Sequence, residues 1–277
     1  MNQLKVDIQA IIEDSGGEWG IAIEDLHTNE IFTEQADRPF YAASIIKIPI
    51  MITVFKRYED GAFTLSDKLS LKREDMVGGS GVLQHMTPGT PLTIYDLLML
   101  MIIQSDNTAT NMLIDLVGTK EIQQTLDTIG AFNSKFYNKL MIVPVQKEGS
   151  NIITANDMTL LLKQLVNGQI ISVHACQQMI NIMKKQQIRE SLPGKLPPSE
   201  KGRIGTPKKW ELAHKTGNVT KVRHDVGIFY VGNRTLIASV LSQGMNDLVS
   251  KELFHDIGLA IFNYLNSDDQ TMKRGCP

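Results

Sequence analysis

Three short motifs in the sequence combine residue types that could carry out nucleophilic chemistry. The first, Ser44-Ile45-Ile46-Lys47, is followed by apolar residues at helical spacing. A serine in the first turn of a helix lies near free backbone N–H groups and the positive end of the helix dipole. A lysine three residues later lies on the same face, where desolvation would lower its pKa and allow it to accept the serine proton. By itself, this motif is explained more often by a solvated helix start.

The other two motifs adjoin predicted element boundaries. Ser105-Asp106-Asn107 follows a very hydrophobic helical stretch at 97–103, so these side chains face solvent, line a cleft or supply the N-cap of the next helix. Lys215-Thr216-Gly217 ends a predicted strand at 212–215, where a lysine, a hydroxyl group and a glycine would let an anionic group approach the backbone closely. A charged edge strand that prevents aggregation would explain the same three residues. Each motif alone therefore also has a purely structural explanation.

Together the three motifs are far more specific than any one of them. They occur in the order S-x-x-K, S-D-N and K-T-G that is typical of class A β-lactamases and penicillin-binding proteins, with separations of 61 and 110 residues between their first residues. The segments Gly79–Leu83 and Ser105–Asn111 also match the pattern of that family. The chain thus resembles the class A β-lactamases and related serine hydrolases over roughly residues 15 to 265.

The resemblance implies three catalytic residues. Ser44 Oγ would attack the carbonyl carbon of a β-lactam or a D-alanyl peptide, Lys47 would act as base or proton relay, and Ser105 would pass the proton to the leaving nitrogen. The backbone N–H groups of Ser44 and Asn218 would form the oxyanion hole. The expected reaction is hydrolysis through an acyl-enzyme on Ser44.

The resemblance also implies the residues that bind the substrate. Asn107 would hold the side-chain amide of the substrate, while Lys215 and Thr216 would anchor its carboxylate with help from Arg223, which can form a bidentate pair. Gly217 would allow the substrate to approach the strand backbone. No cofactor and no metal ion is expected, because the histidines that flank the K-T-G strand have no partner at metal-ligand spacing.

One loop departs from the family pattern. Class A β-lactamases carry a glutamate in an E-x-x-L-N segment after S-D-N, and this glutamate activates the water that hydrolyses the acyl-enzyme. The corresponding segment here, Phe136–Pro144, has no glutamate, and the expected position falls between Asn138 and Met141. Glu148 lies too late in the chain to align. Because a general base contributes roughly 10²–10⁴ in rate, the sequence predicts intact acylation and altered deacylation.

Two interpretations follow from this loop. The first is a β-lactamase that deacylates slowly, with its water activated by another group such as Lys47. The second is a D-Ala-D-Ala carboxypeptidase or esterase-like enzyme, or a penicillin-binding sensor that stays acylated. A fused signalling or membrane segment would favour the sensor, and the sequence contains none. The hydrolytic enzyme is therefore the preferred prediction.

Composition and charge limit the partners. The 277 residues include 42% hydrophobic ones and carry a net charge of −2, without the clustered positive field that nucleic acid or an anionic membrane requires. The N-terminus lacks the features of an export signal, and the apolar run at 97–103 is too short to span a bilayer. We expect a cytoplasmic monomer that acts on a small molecule, or a secreted one if an export signal has been removed. Cys176 and Cys276 are expected to be free thiols.

The strands that position the motifs come from both ends of the chain. Alternating residues predict a β-hairpin at 20–25 and 30–35, and three further strands at 212–215, 225–231 and 235–242. A helix is expected before the hairpin, with Leu4, Ile8, Ile11 and Ile12 on one face, and another at 247–266 at the end of the chain. The segment between the hairpin and the last three strands is expected to be helical. Its signals are capping boxes and terminal glycines, at Thr93/Asp96, Thr154/Asp157, Gly118 and Gly130.

These elements predict an α/β fold of the α+β type, similar to that of β-lactamases: about five antiparallel strands flanked by helices, plus an all-helical subdomain. The chain 1–277 would form a single domain, in which 1–40 and 200–277 make the α/β subdomain and 41–199 the mainly helical one. The active site would lie in the crevice between them. Asp225 is interpreted as structural, because it and His224 would point to opposite faces of a strand.

Overall fold

The structure is a computed structural model that describes residues 1–141, 149–199 and 208–274. In chain order its elements are α1 (Asn2–Ile12), β1 (Glu18–Asp25), β2 (Ile31–Glu34), β3 (Phe40–Tyr41), α2 (Lys47–Glu59), β4 (Lys68–Ser70), β5 (Pro91–Thr93), α3 (Ile94–Ile103), α4 (Asn107–Val117), α5 (Thr119–Ile129), β6 (Ile152–Ile153), α6 (Ala155–Val166), α7 (Val173–Met183), β7 (Trp210–Val219), β8 (Val222–Val231), β9 (Arg234–Gln243) and α8 (Asp247–Arg274). One-turn 3₁₀ helices lie at Ala43–Ile46, Arg73–Asp75 and Leu83–His85.

The main sheet has five antiparallel strands in the order β2-β1-β9-β8-β7, which confirms the predicted sheet. The two ends of the chain meet where β1 pairs with β9, with Ile21 opposite Val240. The prediction that Lys215-Thr216-Gly217 ends its strand is wrong, because β7 continues to Val219. Every residue of β7 has a partner in β8. Pairing with β8 extends β7 through polar residues. The alternation of apolar and polar residues along a single strand does not predict this extension.

Two hydrophobic layers cover the sheet. Ile21 and Ile23 of β1 face one side, where they pack with Leu4 of α1 and Phe254 of α8. Ala22 between them faces the other side and joins the core formed by the central helices. This period of two is the geometry of a strand that is buried on both faces. Each large side chain buried in these layers contributes about 1.5–3 kcal/mol relative to exposure, so both layers stabilise the sheet that carries β7.

The junction between α3 and α4 is fixed by side-chain caps. Thr93 Oγ1 accepts from the Asp96 N–H at 3.0 Å and Asp96 Oδ2 accepts from the Thr93 N–H at 3.1 Å, which is the predicted capping box. Asp106 caps α4, since its Oδ1 accepts from the Ala109 N–H at 2.9 Å. Gly118, with φ +88°, ends α4 as predicted. The S-D-N motif therefore lies at a helix start that local chemistry determines.

Contrary to the prediction, the segment between the hairpin and β7 is not wholly helical. Strand β3 pairs with β6 and strand β4 pairs with β5. These strands are only two or three residues long, which is too short for alternation to identify them in the sequence. The β3–β6 pair matters for the site because β3 leads directly into Ser44.

Cys176 is buried in α7, and its thiol donates to the Ile170 carbonyl oxygen at 2.9 Å. It is a free thiol, and burial raises its pKa. Cys276 lies outside the described residues, so its predicted state is not tested. Within the described ranges, every helix is too short or too polar to cross a bilayer.

Candidate active site

Ser44 lies on a one-turn 3₁₀ helix that runs directly into α2. The turn is tight, since the Ile45 N–H donates to the Ala42 carbonyl oxygen at 3.1 Å. Ala43 has φ +44°, in the left-handed region that a residue with a Cβ rarely adopts. Such strain persists where surrounding contacts fix the backbone. Ser44 is therefore presented from a constrained turn with its side chain half-buried.

Lys47 connects the first two motifs. Its side chain is fully buried, and Nζ lies 3.1 Å from Ser44 Oγ, 3.0 Å from Ser105 Oγ and 2.8 Å from Asn107 Oδ1. Nζ also donates to the Ser105 carbonyl oxygen at 2.7 Å. Burial, and next the positive charge of Lys215, hold the pKa of Lys47 well below its usual value. An amine in this state can accept the proton of Ser44.

The S-D-N motif also organises the segment before it. Asp106 Oδ2 accepts from the backbone N–H groups of Val82 at 2.6 Å and Leu83 at 2.9 Å. Gly81 makes this approach possible: a Cβ there would lie 2.4 Å from Asp106 Cα. Asn107 Nδ2 donates to the Gly78 carbonyl oxygen at 3.1 Å. The 78–83 segment is thus bound to the start of α4, beside Lys47.

Lys215 reaches the same cluster from the sheet. Its fully buried Nζ donates to Ser105 Oγ at 3.1 Å and to the Thr216 carbonyl oxygen at 2.7 Å. Burial lowers the pKa of Lys215 to about 7, against the opposing effect of Asp225. Ser105 Oγ therefore lies within hydrogen-bonding distance of two amines, one from each side of the cleft. This arrangement can move a proton between them.

Strand β7 approaches the Ser44 turn at Gly217. A Cβ at Gly217 would lie 3.1 Å from Ile45 Cγ1 and 3.3 Å from both Ala43 Cβ and the Ser44 nitrogen. A larger residue would push the strand away from the turn. Thr216 is buried beside this contact, and Asn218 after it is exposed. The backbone of β7 therefore forms one wall of the space around Ser44.

Arg223 does not meet this cluster. Its guanidinium donates to Ser250 Oγ at 3.1 Å, to the Glu190 carbonyl oxygen at 3.1 Å and to the Asp247 carbonyl oxygen at 3.4 Å. In the pairing of β7 with β8, Arg223 lies opposite Asn218, one position away from the pair formed by Gly217 and His224. Its side chain therefore projects from the face of the sheet opposite to the one that Gly217 faces. Its predicted help in carboxylate binding stays a prediction that these contacts do not support.

Two buried histidines beside the K-T-G strand have partners that the sequence analysis missed. His214 Nδ1 lies 2.8 Å from Asp225 Oδ1, and Asp225 Oδ2 accepts from the Leu192 N–H at 3.0 Å. His224 Nε2 lies 2.9 Å from the Tyr41 carbonyl oxygen. Asp225 and His224 do point to opposite faces, in keeping with the structural interpretation of Asp225. The β7–β8 register, which the sequence alone does not specify, decides both pairings.

The loop that lacks the family glutamate is held by asparagine side chains. The Leu140 N–H donates to Asn111 Oδ1 at 2.9 Å, and Asn111 Nδ2 donates to the Leu140 carbonyl oxygen at 2.9 Å. Asn111 lies one helical turn after Asn107 on α4, and Asn107 accepts from Lys47 Nζ. Leu140 is therefore fixed one helical turn away from this contact with Lys47. Next to it, Met141 Sδ lies 3.6 Å from where a Gly79 Cβ would be. Glu148 lies outside the described residues.

In the described ranges there is no cluster of three or more side chains suited to bind a metal ion. The cluster itself offers two buried amines and the hydroxyls of Ser44 and Ser105. A buried amine between two hydroxyls, with a second amine beyond, is suited to acyl transfer to serine.

The fold and this cluster define a serine hydrolase of the penicillin-recognising class, and comparison with known proteins gives the family. The sequence matches the family described as the beta-lactamase enzyme family over residues 3–265. The chain belongs to that family and is a β-lactamase-like serine hydrolase. It is 24% identical to beta-lactamase VEB-1 of Pseudomonas aeruginosa over 279 residues, which cover 95% of this chain and 90% of the relative. It is also 24% identical to beta-lactamase CTX-M-97 of Escherichia coli over 220 residues, 78% of this chain and 72% of the relative.

Solved structures are similar over nearly the whole chain. A beta-lactamase from Sphaerobacter thermophilus superposes with a TM-score of 0.86 at 31% identity, covering 96% of this chain and 97% of that one. PBP-A superposes with a TM-score of 0.84 at 27% identity and the same coverage. These similarities confirm the predicted fold class.

Proposed function

We propose that this hydrolase forms an acyl-enzyme on Ser44 with β-lactams and releases the product slowly. The observation that carries the proposal is the fully buried Lys47, whose Nζ lies 3.1 Å from Ser44 Oγ and 3.0 Å from Ser105 Oγ. A second support comes from a variant of PBP-A, similar to this chain with a TM-score of 0.84 at 26% identity, which was solved as an acyl-enzyme complex with penicillin G.

Acylation needs a base, an acid and an oxyanion site. Ser44 Oγ bonds to the lactam carbonyl carbon while its proton passes to the uncharged Nζ of Lys47. As the C–N bond breaks, Ser105 donates its hydroxyl proton to the leaving nitrogen and is reprotonated by an adjacent ammonium. The close approach of Gly217 to the Ser44 nitrogen supports the backbone N–H groups of Ser44 and Asn218 as the oxyanion hole.

Substrate binding uses the sheet side of the cleft. The ammonium of Lys215 and the hydroxyl of Thr216 would bind the substrate carboxylate, and Asn107 would bind its side-chain amide. The catalytic residues come from the segment proposed as the helical subdomain, 41–199, while Lys215 and Thr216 come from the proposed α/β subdomain, 1–40 with 200–277. Because all of them belong to one chain, the reaction needs no second subunit, in keeping with a monomer.

Slow release follows from the loop at 136–141. Its described residues offer no carboxylate to activate water, and Lys139 is already ion-paired with Asp115. Leu140, whose backbone is bound by Asn111, is an apolar residue within the span from Asn138 to Met141 where the family pattern expects the glutamate. The oxyanion hole and the bound geometry still stabilise the transition state, so turnover is expected to be slow and not zero.

A second candidate is an enzyme that acts on D-alanyl peptides or esters, or a sensor that stays acylated. The resemblance to PBP-A, with a TM-score of 0.84 against 0.86 for the beta-lactamase from Sphaerobacter thermophilus, favours keeping this candidate. It predicts turnover of a D-Ala-D-Ala peptide or an ester, or no release at all, with the same Ser44 adduct.

Intact-mass spectrometry over time, with a panel of β-lactams and a D-Ala-D-Ala peptide, tests the proposal. We expect a single adduct that maps to Ser44, formed faster than it is lost. Stopped-flow hydrolysis of a chromogenic cephalosporin should show a burst followed by slow steady release. An adduct on another residue would overturn the assignment of Ser44. Fast turnover without a burst would mean that another residue supplies the deacylation base.

A further inference from the structure

His224 lies next to the nucleophile's turn without belonging to the reacting cluster. It is fully buried in β8, and its Cα partner in β7 is Gly217. Cross-strand partners share a face of the sheet, so His224 and Gly217 both face the Ser44 turn. The ring of Phe40 meets the imidazole edge-on at 5.9 Å. The imidazole is therefore enclosed between the sheet and the segment that precedes Ser44.

The hydrogen bonds of His224 define which ring nitrogen carries the proton. Nδ1 lies 3.1 Å from the backbone nitrogen of Ser242, a donor, so Nδ1 accepts there. The Arg223 carbonyl oxygen lies 2.8 Å from Nδ1 and also accepts from Ser242 Oγ at 2.9 Å. Nε2 therefore carries the hydrogen and donates to the Tyr41 carbonyl oxygen at 2.9 Å. Burial lowers the pKa of His224 to about 4, so the neutral ring persists at neutral pH.

The Tyr41 carbonyl belongs to a segment that is held from two sides. On one side, β3 pairs with β6, and the Ala42 N–H donates to the Asn151 carbonyl oxygen at 2.8 Å. On the other side, His224 binds Tyr41. The strained Ala43 follows at once, and a residue in such a conformation persists only where the surrounding structure fixes it. Releasing one of the two anchors lets the Ser44 turn relax away from β7.

We propose that His224 is a positioning residue for acylation, whose Nε2–H bond to the Tyr41 carbonyl holds the Ser44 turn in register against Gly217. The inference rests on the proposed acylation of Ser44. Both Ser44 Oγ and the Ser44 N–H of the oxyanion hole depend on this turn. A displacement of about 1 Å at a reacting group can cost about 10²-fold in rate. Lys215, proposed to bind the substrate carboxylate, lies on β7 and not on this turn.

Two amide variants separate the anchor from the rest of the side chain. In His224→Gln, the terminal NH₂ reaches the position of Nε2 and can still donate to Tyr41. In His224→Asn, the shorter amide can replace only Nδ1, so it keeps the contact with Ser242 and loses the one with Tyr41. The pair is matched in charge and polarity. The difference between them measures the contact with Tyr41 against the contact with Ser242, together with the loss of one methylene group.

The readout is the second-order rate constant for acylation by a fluorescent penicillin, beside the dissociation constant of a non-reactive carboxylate analogue. We expect His224→Gln to acylate within about threefold of the wild type and His224→Asn to acylate about 10–100-fold more slowly. The analogue should bind both variants like the wild type. Equal acylation by the two variants, or equal losses in acylation and analogue binding, would overturn the proposal.

A measurement on the unaltered protein does not depend on either variant folding. Nitrogen-15 NMR of labelled histidine should show one buried imidazole protonated at Nε2, with a scalar coupling from that nitrogen to the Tyr41 carbonyl carbon. A ring protonated at Nδ1, or no coupling to Tyr41, would overturn the proposal. A wild type that no penicillin acylates would instead refute the proposed function, so the two failures are distinguishable.

Discussion

The cluster around Ser44 and the loop at 136–141 lie one helical turn apart along α4, yet they are held in different ways. In the cluster, side chains form hydrogen bonds with other side chains. Ser105 Oγ lies within 3.1 Å of the Nζ atoms of Lys47 and Lys215, both of which are fully buried. In the loop, asparagine side chains form hydrogen bonds with backbone atoms. Asn111 binds both polar atoms of Leu140, and Asn151 accepts from the Tyr137 N–H at 2.7 Å.

This difference separates the two halves of the proposed reaction. Burial of two amines costs solvation, and it is offset only where their hydrogen bonds are satisfied, as they are around Ser105. The cost is useful because it lowers the pKa of the amine that must accept a proton. The backbone of the loop is also fixed, but residues 136–141 include no carboxylate. The described cluster thus supplies what the proposed acylation needs, whereas residues 136–141 supply no carboxylate for the proposed deacylation.

Removing the nucleophile should have the largest effect. Ser44→Ala is expected to abolish covalent labelling by a penicillin, because no other side chain of the cluster carries a nucleophile in the position of Oγ. Intact-mass spectrometry and thermal unfolding check the adduct and the fold. Ser66→Ala, at an exposed serine, is the control and should label normally. Labelling of Ser44→Ala at the wild-type rate would place the nucleophile elsewhere.

Removing the proposed base comes next. Lys47→Met keeps the length of the side chain and should lower the acylation rate by roughly 10²–10⁴, the usual contribution of a general base. Thermal stability should not fall sharply, since an apolar group replaces a buried amine. The control is Lys68→Met, at an exposed lysine. Stopped-flow acylation that is unchanged in Lys47→Met would assign the base to another group.

Supplying a carboxylate in the loop at 136–141 should raise the rate of deacylation. Leu140→Glu is expected to speed release of the acyl group by at least about tenfold, a part of the roughly 10²–10⁴ that a well-placed base provides. Leu140→Gln has the same shape without the basic oxygen and should not speed release. The decay of the adduct mass over time distinguishes them. Equal release by both variants would show that loop polarity, and not a base, controls the step.

A more selective effect is expected at the substrate's anionic end. Lys215→Ala should weaken capture of a carboxylate substrate by roughly 1.5–3 kcal/mol, the range for hydrogen bonds to charged groups. A neutral ester of similar shape should lose much less. The ratio of kcat/KM for acid and ester measures the difference. Equal losses would assign Lys215 to a structural role or to proton transfer instead.

The same lysine gives a pH dependence with a definite sign. Lys215 has a pKa of about 7, so it is an ammonium below that pH and uncharged above it. Binding of a non-reactive carboxylate analogue should therefore weaken as pH rises through 7. In Lys215→Ala, this part of the pH dependence should disappear. Tighter analogue binding at higher pH in the wild type would contradict the assignment.

Much of this protein could be predicted from its residues in order. The motifs S-x-x-K, S-D-N and K-T-G, the capping box at Thr93 and the sheet strands depend on local patterns that a sequence displays directly. The absent loop glutamate is also a matter of residue identity. These features need no knowledge of what packs against them, since capping and alternation act within a few residues.

The tertiary structure decided how distant residues meet. Lys47 and Ser105 are 58 positions apart, and Lys215 is 110 positions beyond Ser105, so only packing brings their polar atoms together. The β7–β8 register placed Arg223 on the face away from Ser44 and set His224 beside Gly217. A shift of one residue would have exchanged those faces. Burial then lowered the pKa of both lysines, because desolvation depends on what surrounds a group and not on its neighbours in the chain.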